Sequence, residues 1–302
     1  MLSKRFFPVV AVTLALIAGL GQACAQDKYG KTPNTIDKIR SSGNITLGYR
    51  EFSVPFSYLS TRGEPVGYSI DLCRAIVDAI SRHLKQDISI AWERVTSETR
   101  MEAITSGRID LECGSTTANA ERAKHVDFSP IIFVAGTKLM VRKNSTIHSF
   151  RDLSNKVIAV TAGTTNERVL HELRDKFRLN YAIVASHDHE ESYDLLIHGE
   201  VDAFATDDVL LSGMIAKYRL QKDYRITGEY LSYDPYGIMF RKGEATLKKL
   251  IETTFSQMAK DHELDRLYDT WFMRKLPSGD RIDLPMSPHL DTIFRLLAPT
   301  NY

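Results

Sequence analysis

Short segments rich in β-branched and aromatic residues alternate along this 302-residue chain with amphipathic helical stretches, and that alternation limits the fold more than any other feature. Strand candidates fall at 45–49, 88–92, 131–134, 139–142, 157–161, 182–185 and 201–206. Between most of them lie helical patterns: Leu72, Ile76, Ile80 and Leu84 form one stripe over 70–84, and Val169, Leu170, Leu173 and Phe177 another over 166–177. Strands separated by helices of this length require right-handed crossovers and mainly parallel sheets, so the chain reads as α/β. The C-terminal part differs, with 244–260 and 262–274 helical, followed by a Pro-rich tail from Leu276 that carries little regular pattern. The βα units come in two runs, about 45–134 and about 156–217, separated by a polar stretch at 142–155. Two α/β lobes would each present a site at the carboxyl ends of their strands, and a ligand could lie between them.

The N-terminus reads as an export signal. Residues 1–25 carry Lys4 and Arg5, an apolar run over 6–20, and a short cleavage-type segment ending Ala23-Cys24-Ala25. The run is too short to span a hydrocarbon layer, which needs about 20 residues. Its removal leaves 277 residues and takes two of the 39 basic residues against 38 acids, so the formal charge passes from +1 to −1. A near-neutral chain without a basic run is not expected to bind nucleic acid or an anionic membrane. No second long apolar run follows, so the mature protein is expected to be soluble outside the cytoplasmic membrane. A lipid anchor at Cys24 is not expected, because Gly21-Gln22-Ala23 fits a lipidation box poorly. Cys73 and Cys113 remain; spacing alone establishes no bridge, and we read them as two separately buried thiols.

Four short polar segments stand where strands should end. They are Gly48-Tyr49-Arg50-Glu51, Cys113-Gly114-Ser115-Thr116-Thr117, Thr161-Ala162-Gly163-Thr164-Thr165 and Thr206-Asp207-Asp208. A Gly-Thr-Thr turn opening a helix offers free N–H groups and hydroxyls to an anion, although for any one such segment alone ordinary N-capping by Thr and Asp is the better account. Arg50, Arg100 and Arg122 lie beside these segments, and a guanidinium grips a carboxylate with a planar fork. Three such arginines with Asp207 would suit a ligand bearing two carboxylates and one ammonium, the ammonium going to Asp207. His187, His189 and His198 lie near acids but lack a zinc spacing, and no Walker A, G-x-S-x-G or G-x-G-x-x-G is present, so neither metal nor cofactor is expected.

Gly67-Tyr68-Ser69-Ile70-Asp71-Leu72, followed by Ala75-Ile76-Val77 and Ile80, resembles the signature of the polar amino-acid binding proteins of bacterial ABC importers, which have the type II periplasmic binding fold. Ser69 departs from the acidic residue usual there. Arg50 with 54–58, Ser97 with Arg100, the Cys-Gly-Ser-Thr-Thr block with Glu121-Arg122, Gly163-Thr164-Thr165, Asp188-His189 and Asp207-Asp208 resemble the glutamate/aspartate-binding subgroup; 232–237 matches nothing recognisable.

The resemblance implies a hinged, non-enzymatic receptor that takes L-glutamate or L-aspartate and delivers it, as a monomer, to a membrane permease. Lobe 1 would hold 34–137 and 240–302 and lobe 2 138–239, joined by strands near 138–143 and 236–241. Arg122, with Thr117 and Thr165, would bind the α-carboxylate; Asp207, with Ser115 and Thr117, the ammonium; Arg50, Ser97, Arg100 and His189 the side-chain carboxylate. Three arginines less Asp207 leave +2 to meet a ligand of −1. A carboxylate against His189 would raise its pKa, so affinity would fall as pH rises; a register slip would bring His187 or Asp188 in instead. Amides should be rejected, since they leave an arginine without its counter-charge. Two other readings of the same fold are a periplasmic prephenate/arogenate dehydratase and a ligand-binding subunit for a signalling partner.

Overall fold

The computed structural model describes residues 34–277 and 279–298, so the expected signal at 1–25 and Cys24 lie outside the described residues. Two five-stranded sheets organise the chain. In the first the order is Ser89–Arg94, Asn44–Tyr49, Leu111–Glu112, Met239–Arg241, Val126–Phe128; in the second it is Ala182–Ser186, Val157–Thr161, Ala203–Asp207, Thr137–Arg142, Tyr224–Thr227. The first three strands of each run parallel and the last two are added antiparallel. Parallel pairing therefore covers the part of each sheet built by crossover helices, and the antiparallel pairs come where the chain enters from the other lobe.

The expected strands and helices recur within a few residues. Helix Tyr68–Leu84 buries Leu72, Ile76 and Ile80, as its stripe requires. It starts at Gly67, whose φ of +140° and lack of a Cβ let the Phe56 carbonyl pack against it. Helix Ala245–Lys260 turns Leu247, Ile251, Phe255 and Met258 into the same core, beneath the first sheet. The second sheet is covered on both faces, by one cluster around Ile158, Val160 and Leu170 and another around Phe204, Leu211 and Met214.

Several expectations are corrected. The tail beyond Leu276 is not patternless, for Pro288–Leu297 is a helix capped by Ser287 that buries Leu290 and Phe294 in the first core. The expected helix 262–274 is Glu263–Tyr268 followed by a wider turn, Asp269–Met273, in which Trp271 donates to Asp71 at 2.8 Å. Cys73 and Cys113 are not separate thiols: helix Tyr68–Leu84 lies so that its Cys73 meets the end of strand Leu111–Glu112, and a disulfide joins them across Cα atoms 6.1 Å apart. A crossover fixes that meeting in space, and a spacing of 40 residues carries no trace of it. The two strands linking the lobes, Phe133–Ala135 and Asp234–Tyr236, pair antiparallel in a sheet of their own. Residues 138–143 instead belong largely to strand Thr137–Arg142 of the second sheet, and 239–241 to the first. Among the described residues no helix is long and apolar enough to cross a membrane.

Candidate ligand-binding site

The chain at or just beyond the ends of five of the six parallel strands lines one cavity, and the sixth, Asn44–Tyr49, ends beside it. It is lined by Ser97, Arg100, Ser115, Thr117, Thr164, Thr165, Asn166, His189, Asp207 and Leu210. A second small cavity beside it is bounded by Arg50, Arg94, Thr96 and Asp188. Of the nine residues anticipated from sequence, seven line the first cavity. Arg50 lies against it, its Nη2 donating to Ser97 Oγ at 2.8 Å. Arg122 closes its edge, donating from Nη1 to the Thr117 carbonyl at 2.9 Å and from Nη2 to the Gly163 carbonyl, across the lobes, at 3.4 Å.

Helix starts divide the polar turns between capping and the cavity. Thr164 and Asp188 are N-caps, Thr164 accepting from Glu167 N and Asp188 from Glu190 N and Glu191 N. Thr165, one residue on, turns inward, with its hydroxyl 3.3 Å from that of Thr117 in the other lobe. Asp207 holds the N-cap position of helix Asp208–Tyr218 yet makes no capping bond. Its carboxylate instead accepts from Asn166 Nδ2 at 2.7 Å and from the Tyr236 hydroxyl, and it is buried. Burial, followed by the neighbouring Asp234, pushes its pKa up to about 7.

The other end of the cavity is cationic. Arg50 and Arg100 are both buried; Arg100 Nη1 donates to Thr116 Oγ1 at 2.6 Å, and Thr116 in turn donates to Glu112 Oε2 at 2.6 Å. Arg50 Nη1 and Arg100 Nε find no hydrogen-bond partner among the described residues, two buried donors of the kind an anion satisfies. Burial, and then the Arg100 charge, lowers Arg50 and Arg122 to about 9 each; burial also lowers Arg100.

His189 is the ring that faces this cavity, its Nδ1 held 2.7 Å from Thr161 Oγ1, while His187 faces Glu98 at 3.8 Å on the rim. Its pKa lies well below the ordinary value, from burial first and then from Arg50 and Arg100. The expected upward pull of a ligand carboxylate on His189 therefore works against its burial and the two guanidiniums that face it.

Sequence reasoning missed Asn166, Tyr236, Glu112 and Asp234. Asn166 bridges Asp207 to the Thr137 hydroxyl at 2.7 Å. Asp234 accepts from Thr117 at 3.2 Å and from Ser232. With Glu112 and Asp234 both buried, three carboxylic groups face three arginines, and the count of +2 made from Asp207 alone does not stand. A pocket of this make-up can hold a small zwitterion with a further anionic group.

Residues 45–274 match the model of the bacterial extracellular solute-binding proteins, family 3. An L-glutamate/L-aspartate-binding protein of Pseudomonas aeruginosa is 40% identical over 300 residues, covering 98% of either chain. A glutamate/aspartate import solute-binding protein of Escherichia coli (strain K12) is 38% identical, covering 95% of this chain and 96% of that one. Among solved structures, an ancestral arginine-binding protein bound to arginine superposes with a TM-score of 0.69 at 30% identity, covering 76% of this chain and 98% of that one. Two mixed sheets joined by a pair of strands, with a polar cleft at their carboxyl ends, accord with these likenesses, and the chain belongs to family 3 of the bacterial extracellular solute-binding proteins.

Proposed function

We propose that this protein captures an acidic amino acid, L-glutamate or L-aspartate, between its lobes and hands it to the permease of an ABC importer. It is a solute-binding protein and not an enzyme, as are the relatives that match it over nearly its whole length. The observation that carries the ligand class is the meeting of Arg50, Arg100 and Arg122 with Asp207 around one cavity. In this reading Arg122, Thr117 and Thr165 hold the α-carboxylate. Asp207 and Ser115 take the ammonium, and Arg50, Ser97, Arg100 and His189 take the side-chain carboxylate. A neutral His189 serves there as a hydrogen-bonding group and not as a cation. Lobe 1 is the part built on the first sheet and lobe 2 the part built on the second, close to the expected division at 137/138 and 239/240, and they move about the paired strands Phe133–Ala135 and Asp234–Tyr236. Residues 1–25 direct export to the periplasm, where the mature chain works as a monomer.

A thermal-shift screen of the mature protein against the twenty amino acids tests the reading. Glutamate, aspartate or both should raise the melting temperature, whereas glutamine and asparagine should raise it far less, since an amide leaves a buried guanidinium without its counter-charge. No shift with either acid overturns it.

A further inference from the structure

We infer that Glu112 is the resident counter-ion of the arginine cluster and sets how strongly the cleft prefers a ligand with a side-chain carboxylate over the corresponding amide. This deepens the acidic-ligand reading and rests on it. Glu112 ends the short strand Leu111–Glu112, wholly buried between strands Asn44–Tyr49 and Met239–Arg241. One oxygen accepts from Thr116, the hydroxyl that also receives Arg100, so Glu112 reaches Arg100 through a single side chain. Its other oxygen, Oε1, has no hydrogen-bond partner among the described residues. That oxygen lies against the face of Gly114 where a Cβ would sit, beside Arg50 Cγ, which is 2.9 Å from the same position. Glycine at 114 thus lets the carboxylate and the Arg50 side chain approach one another in the loop that lines the cavity.

The two other buried acids beside the arginine cluster have hydrogen-bond partners of their own. Asp207 is held by Asn166 and Tyr236, and Asp234 by Thr117 and Ser232. Glu112 alone is a favourable opposite charge to Arg50, Arg100 and Arg122 together. A fixed carboxylate in that position does two things. It makes a cluster of three guanidiniums, two of them buried, tolerable without ligand. It also offers those guanidiniums a negative charge with which the ligand must compete, so the advantage of a ligand carboxylate over an amide is smaller than bare arginines would give.

Glu112→Gln keeps the shape and an acceptor for Thr116 while removing the charge. At an effective dielectric near 20, one charge at about 7 Å changes a carboxylate's interaction enough to shift binding by more than tenfold. The ratio of the glutamine to the glutamate dissociation constant, by titration calorimetry, should therefore rise about tenfold or more in Glu112→Gln, with aspartate and asparagine read in parallel. A ratio unchanged within twofold, or lowered, overturns the inference.

A second readout needs neither amino acid. The unliganded Glu112→Gln protein should melt below the wild type and be stabilised more than the wild type by sodium sulfate relative to sodium chloride at equal ionic strength. The double variant Arg50→Gln/Glu112→Gln, in which a charge is removed from each side, should melt above Glu112→Gln alone. This double-mutant comparison holds even if the single variant folds poorly, and a double variant that melts lower still overturns the inference. Should the wild type bind neither acid, the ligand reading fails while the sulfate and double-variant results still decide the counter-ion role.

Discussion

Asp207 carries the pH behaviour of the site. Its carboxyl is raised from 3.8 to about 7 by burial and by Asp234, so the folded state holds a proton there that the unfolded chain has lost. The unliganded protein should accordingly lose stability as pH rises from about 4 to about 7, and Asp207→Asn should flatten that decline in melts taken across the window. An ammonium placed on Asp207 favours its ionised form, so binding of a zwitterion expels the proton. Affinity should then strengthen as pH rises from about 5 to 7, by up to tenfold per unit, and level off above. Calorimetry at four pH values checks this, and affinity falling with pH would contradict it. That is the reverse of the dependence expected from His189, whose pKa burial, and then Arg50 and Arg100, hold well below the ordinary value. The arginines were legible in the sequence because each follows a recognisable strand end. Glu112 and Asp234 were not: one reads as an ordinary strand residue, and the other finds its partner Thr117 at a distance of 117 residues.

Among the elements, the parallel strands and their helices could be read directly, since hydrophobic period decides them. The three-residue strands Val126–Phe128, Asp234–Tyr236 and Met239–Arg241 are too short to display a period and exist through tertiary pairing. Helix Pro288–Leu297 was hidden by the prolines around it, although Pro288 sits at a first-turn position where proline does no harm. The Cys73–Cys113 bridge ties the crossover helix to the loop that supplies Ser115 and Thr117. Its 40-residue separation corresponds to about 4 kcal/mol of chain entropy. Cys73→Ala/Cys113→Ala should therefore lower the urea-unfolding free energy by a few kcal/mol, and should weaken glutamate or aspartate binding as the loop loses its anchor. An unchanged midpoint would mean that packing alone holds the helix there.

Across the whole molecule, the two lobes meet closely. Arg94 bridges Glu51 of its own lobe at 2.7 Å and Asp188 of the other at 3.8 Å, a rim contact of small energy. Gly213, on helix Asp208–Tyr218, lies against the Val54 carbonyl so tightly that a Cβ would collide with it. Gly213→Ala should force this contact apart and weaken ligand binding about tenfold by obstructing closure. Small-angle scattering would show a ligand-induced contraction smaller than in the wild type; equal contraction and affinity would exclude Gly213 as a closure contact. The double passage between sheets also bears on the order in which the molecule is made. Every strand of the second sheet comes from the continuous stretch 137–227, so that sheet is whole once residue 227 has emerged. Strand Val126–Phe128 of the first sheet, by contrast, pairs only with Met239–Arg241 and waits for residues more than a hundred positions later. A chain delivered N-terminus first therefore completes its inserted half before its outer one, and the arginine end of the cleft is the last part to gain a finished scaffold.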